Sequence, residues 1–134
     1  MLLLFTSSIV ANAESINTDI IENISSEETV QPRYNYTSST TVNLVISNNK
    51  ANCTSRLIGY QSTTKIVITM TLEKKTLFWW SDVETWTGTY NASVAELFKS
   101  HSISSGTYRI KTEFVVYSGS KSETITTYSP ERDC

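Results

Sequence analysis

A chain of 134 residues is long enough for one domain with a buried core and too short for two ordinary ones. Its composition is 39% hydrophobic with only 4 Gly and 2 Pro, which excludes collagen-like and low-complexity chains. A net charge of −2, with no run of basic residues, argues against a nucleic-acid partner.

The first residues, Met-Leu-Leu-Leu-Phe-Thr-Ser-Ser-Ile-Val, form an apolar run that leads into Ala11-Asn12-Ala13, the small-x-small pattern of a signal-peptidase site. This predicts an exported protein cleaved after Ala13, with residues 1–13 a signal peptide truncated at its start, since the positive leading region is missing. The run is about half the roughly twenty residues a permanent membrane span needs, and no other segment approaches that length. Residues 14–32 carry Glu14, Asp19, Glu22, Glu27 and Glu28 and no basic residue. That stretch reads as an acidic, mobile leader. All eleven basic residues then fall in 33–134 against the remaining eight acidic ones; Pro32 closes the leader, and residues 33–134 read as the β-sandwich domain.

Period-two alternation dominates the domain. Val42, Leu44 and Ile46 share one face of a strand over Thr41–Ser47, and Asn48-Asn49-Lys50 is a polar turn. Ala51–Tyr60 alternates too, but which of its faces is buried is left open. Ile66, Ile68, Met70 and Leu72 point one way in Lys65–Glu73, as a central strand requires. Lys74-Lys75-Thr76 reads as a charged turn into an aromatic-rich strand over Leu77–Thr87. In the next segment Ser93-Val94-Ala95-Glu96 fits a helix capping box, so a short helix competes with a strand there; the β neighbours favour the strand. The clearest alternation sets Tyr108, Ile110, Phe114 and Val116 against Arg109, Lys111 and Glu113. Ser118-Gly119-Ser120 then turns the chain into a last strand over about 122–128. About seven short strands in a hundred residues predict an all-β, antiparallel two-sheet sandwich of immunoglobulin or fibronectin type.

Several short stretches, among them Gln31-Pro32-Arg33, Gly59-Tyr60, Trp80 and Trp86 bracketing Val83, Ser105-Gly106-Thr107-Tyr108-Arg109 and Tyr117–Thr124, give a family resemblance. On these residues the chain resembles the small secreted proteins of Gram-positive anaerobes classed as domain of unknown function 6147. The resemblance covers most of residues 31–129, implies no activity and brings no catalytic residues with it. More loosely, Gly106-Thr107-Tyr108 is similar to the entry into the sixth strand of immunoglobulin-like sandwiches. There a Tyr bonds back to the backbone, which makes Tyr108 a candidate for that bond.

Candidate chemistry is sparse. His101 is the only histidine, and no spacing sets it beside a serine, Cys53 and an orienting carboxylate as a catalytic triad or pair demands. One His and two distant Cys supply no metal site, and no cofactor motif is present. Asp82 and Glu84 share parity about 7 Å apart on one strand, the only arrangement that suggests a glycoside hydrolase; exposed strands carry such pairs routinely. Cys53 and Cys134 are a candidate disulfide closing a long loop. Phe78, Trp79, Trp80, Trp86 and Tyr90 form the candidate binding face. Adjacent Trp79 and Trp80 cannot both enter one core, while equal parity puts Trp80 and Trp86 about 20 Å apart on one face. These features predict a secreted, non-enzymatic recognition or adhesion module at the bacterial cell envelope, with a cell-wall glycan or surface protein as partner. A minimal hydrolase or enzyme inhibitor and a self-associating matrix component are the alternatives. Oligomeric state is not readable from the sequence.

Overall fold

The computed structural model describes residues 34–134; the expected signal peptide and acidic leader lie outside the described residues. Eight strands succeed one another: β1 (Thr37–Ser47), β2 (Lys50–Gly59), β3 (Lys65–Lys75), β4 (Trp80–Tyr90), β5 (Val94–Ser102), β6 (Thr107–Ser118), β7 (Lys121–Tyr128) and the two-residue β8 (Arg132–Asp133). One sheet has the order β1-β2-β5 and the other β4-β3-β6-β7, with β8 added to β6. Every pairing is antiparallel. In constant-type immunoglobulin domains the fourth strand joins the sheet of the first, second and fifth strands. Here β4 pairs β3 instead, which is the fibronectin-like variant of the sandwich.

Turn chemistry fixes the hairpins. Asn48 and Asn49 both take positive φ (53° and 56°), so β1 and β2 are joined by a two-residue turn whose twist matches the strands. Gly119, at φ 62°, opens the two-residue turn between β6 and β7. The segment before β1 is tied to the far sheet by one carboxylate. Glu123 on β7 accepts hydrogen bonds from the Asn35 and Tyr36 amides at 2.8 and 2.9 Å and from the Thr37 hydroxyl at 3.0 Å.

Between the sheets lie Leu44, Ala51, Cys53 and Leu57 from one side and Ile66, Ile68, Met70, Leu72, Ile110, Phe114 and Val116 from the other. The face left open in Ala51–Tyr60 is therefore settled: Ala51, Cys53, Ser55 and Leu57 are buried and Arg56 and Ile58 point out. The segment with the capping box is strand β5, because Ala95 and Leu97 fill the core only when their neighbours bond along β2. Tyr108 is buried, and its hydroxyl donates to the Ser104 carbonyl at 2.9 Å, closing the corner before β6.

One polar pair sits inside this apolar layer. Ser55 of the three-stranded sheet and Thr112 of the other share a hydrogen bond of 2.7 Å, and both are fully buried. Replacing Thr112 by valine strands the Ser55 hydroxyl away from water and is expected to destabilise the fold by about 2 kcal/mol. Adding Ser55→Ala to that variant should recover most of the loss, because no hydroxyl is then left without a partner. A urea-denaturation double-mutant cycle checks this; equal losses in the single and double variants would contradict it.

The candidate disulfide is not formed. Both thiols are free: Cys53 points into the interior, while Cys134 lies at the sandwich end with its Sγ 3.5 Å from Asn49 Oδ1. Burial pushes the Cys53 thiol up to about 12. In the unfolded chain the same thiol ionises near 9, so above that pH the unfolded state binds fewer protons than the native state and is favoured. Stability gained from the neutral thiol is full below about pH 9 and is lost as pH rises toward 12. Native protein at pH 8 should therefore show Cys134 alone reacting with a thiol reagent, and Cys53 joining only after denaturation.

Candidate functional site

The β3–β4 hairpin carries most of the candidate residues, and its register redistributes them. Leu72 faces Glu84 and Glu73 faces Asp82, so Val83 is an extra residue forming a β-bulge. A bulge shifts parity by one. Asp82 therefore lies on the outer face of the five-stranded sheet beside Thr69, Thr71, Lys111 and Glu113, whereas Glu84, opposite Leu72, stays exposed and Val83 is the bulge residue that packs against the core. The even spacing expected of the carboxylate pair is interrupted by the bulge between them. Trp80 and Trp86 separate for the same reason: Trp80 lies outside against Arg109, and Trp86 turns inward onto the core. Equal parity in the sequence implied a shared face, and the bulge between them cancels it.

Trp86 and Tyr90 thus pack, half-buried, against the core and stand apart from the hairpin tip. Trp86 packs on the core and meets His101 edge-on at 6.2 Å. Tyr90 folds back over Gly88, where a Cβ would lie 2.5 Å from the Tyr90 hydroxyl, so any larger residue there would displace the end of the ring. His101 has no hydrogen bond to a serine, cysteine or carboxylate among the described residues. No cluster of three or more metal-ligating side chains occurs among them either.

The hairpin end is different. Strand β3 continues through Lys75, past the expected charged turn, and the real turn is Thr76–Trp79. It is fastened from within. The Thr76 amide and hydroxyl both donate to the Trp79 carbonyl at 2.7 Å, and the Trp79 amide donates to the Thr76 hydroxyl at 3.1 Å. Leu77, Phe78 and Trp79 project from this clasp with 87%, 80% and 66% of their surface exposed. Phe78 and Trp79 touch each other, their rings 6.2 Å apart, but neither belongs to the core.

Immediately below the tip, four residues from four strands brace the hairpin. The Arg109 guanidinium lies 4.2 Å from the Trp80 ring centroid and 4.5 Å from that of Tyr128, so it is clamped between two aromatic faces. Its Nε donates to Glu73 at 2.7 Å, and the Glu73 side chain is almost wholly buried. Lys75 lies over Trp80 at 5.9 Å and pairs with Glu131 at 3.6 Å. Lys74 donates to the Ser104 hydroxyl at 3.2 Å and lies over Tyr108. Every cation around the hairpin base thus has an acid, a hydroxyl or a ring against it. Next to this brace, Thr69, Thr71, Asp82, Lys111 and Glu113 line a shallow polar depression of about 170 Å³.

The sequence alone points to Phe78, Trp79 and Trp80 but not to Leu77, which it assigns to a strand, nor to Glu73, Arg109 and Tyr128. The signal for Arg109 is present in its outward parity on β6. What is missing is the register that sets it opposite Glu73. Among the described residues no helix is long and apolar enough to cross a membrane. Comparison with protein-family models, curated proteins and solved structures finds no match.

Proposed function

We propose that this is an exported, non-enzymatic β-sandwich that attaches to a surface at or outside the bacterial cell envelope, and that it attaches through the hairpin tip Leu77–Trp79. The observation that carries the reading is the exposure of three consecutive large apolar side chains on an internally fastened turn. Scattered apolar residues on a surface are ordinary, whereas a contiguous projecting group marks a contact site. These side chains add nothing to the core, so the fold does not require them. The Trp80–Arg109–Tyr128 brace supports the reading as well, because a rigid support leaves less freedom to be lost on binding.

A second reading has its own observation. The depression between Asp82 and Glu113 offers hydroxyls and charges of both signs, which suits a cell-wall glycan or a polar surface protein. The bulge at Val83 between Asp82 and Glu84 favours the polar depression over a hydrolase built on that pair.

Retention of the full chain on native envelope preparations tests the main reading. Leu77→Ser, Phe78→Ser and Trp79→Ser together should reduce retention at least about tenfold while leaving the melting temperature unchanged, as expected for side chains outside the core. Undiminished retention of the folded triple variant would point to the polar depression instead.

A further inference from the structure

We infer that the partner of the hairpin tip is a lipid bilayer, with Leu77, Phe78 and Trp79 entering its interfacial layer; this rests on the reading of the tip as the attachment site. The shape of the tip decides between a membrane and a protein groove. Its three side chains are consecutive around a turn, each is mostly exposed and none packs on the core, so apolar surface is presented on more than one side of the turn. A deformable apolar medium can surround such a tip from all sides. Residue types fit that layer too: Phe and Leu supply apolar area, and Trp prefers the boundary between headgroups and acyl chains.

Backbone chemistry points the same way. Polar main-chain groups carried toward an apolar layer must find partners: those of Thr76 and Trp79 bond within the turn, while those of Leu77 and Phe78 have none among the described residues and so hold the insertion to the hydrated interfacial depth. Below the tip stand Lys74, Lys75 and Trp80, whose long or amphipathic side chains can keep their polar ends at headgroup level. The cations at this level are largely balanced, Arg109 by Glu73 and Lys75 by Glu131. Attachment should therefore depend on apolar insertion and little on lipid charge, which separates it from attachment by a basic patch.

Flotation of the full chain with phosphatidylcholine vesicles, with and without one-fifth phosphatidylglycerol, tests the inference. The chain should float with both, Trp79 fluorescence read in the Trp80→Phe/Trp86→Phe chain should move to the blue, and raising the salt from low to high should change the partition less than about threefold. Leu77→Ser/Phe78→Ser/Trp79→Ser should lower the partition at least about thirtyfold, from the apolar area withdrawn. Vesicle binding that survives the triple substitution overturns the inference. So does absence of vesicle binding by a chain that still needs the tip to bind native envelopes; in that case the attachment site stands and its occupant is a protein. Tip-dependent dimers in lipid-free solution, with no vesicle binding, overturn it in favour of a second copy.

Discussion

Arg109→Ala is expected to lower unfolding stability by about 3 kcal/mol, a large effect for a residue on the outer face of a sheet. The reason is Glu73. Its carboxylate is almost wholly buried beneath the guanidinium, with a bond of 2.7 Å, so removing the arginine leaves a charge with neither partner nor water. Two aromatic rings lose their shared cation in the same step. Replacing both members, Arg109→Met with Glu73→Leu, should bring stability back to within about 1 kcal/mol of the parent, because no uncompensated charge remains. Urea denaturation of the three variants decides the matter. A loss below about 1 kcal/mol in the single variant would mean that Glu73 reaches water when its partner is gone.

Phe114→Ala should be the most damaging core substitution, at about 4 kcal/mol. Phe114 stands in the middle of β6, paired with Ile68 on one side and Ile125 on the other, and is fully buried between the sheets. Strand backbones on both flanks hold the site open, so the cavity cannot collapse cheaply. A small domain has a total stability of about 5–15 kcal/mol, so such a loss should bring unfolding close to physiological temperature. A midpoint shift in urea corresponding to less than about 1.5 kcal/mol would show that neighbours refill the space.

Most of the fold is legible because an antiparallel sandwich writes itself into alternate residues. Ile66-x-Ile68-x-Met70-x-Leu72 and Tyr108-x-Ile110 mark their inner faces without help from context. Ala51–Tyr60 stays undecided for a physical reason: its buried face contains Ser55, satisfied by Thr112 across the interface, while Ile58 lies on the outside. No single strand reveals a cross-sheet hydroxyl pair. Ser93–Glu96 shows the opposite conflict, a local helix signal overridden by pairing along β2.

The hairpin end is less readable, and one residue accounts for much of that. Val83 adds a position to β4, so any argument from parity across it reverses. Trp80 with Trp86, and Asp82 with Glu84, each look like a same-face pair for that reason. The turn is misplaced because Lys74-Lys75 has the polarity of a loop, whereas the strand carries both lysines and gives the turn to Leu77-Phe78-Trp79. Polarity normally marks turns, and this apolar turn departs from that rule, as a site of contact proposed at the tip would require.

Fluorescence of Trp79 alone gives the most direct test of the tip as the attachment site. In the full chain carrying Trp80→Phe and Trp86→Phe, Trp79 should emit as a water-exposed indole, move to the blue when native envelopes are added, and become shielded from acrylamide. Emission and quenching that stay unchanged while the protein is demonstrably bound would place the contact elsewhere on the sandwich.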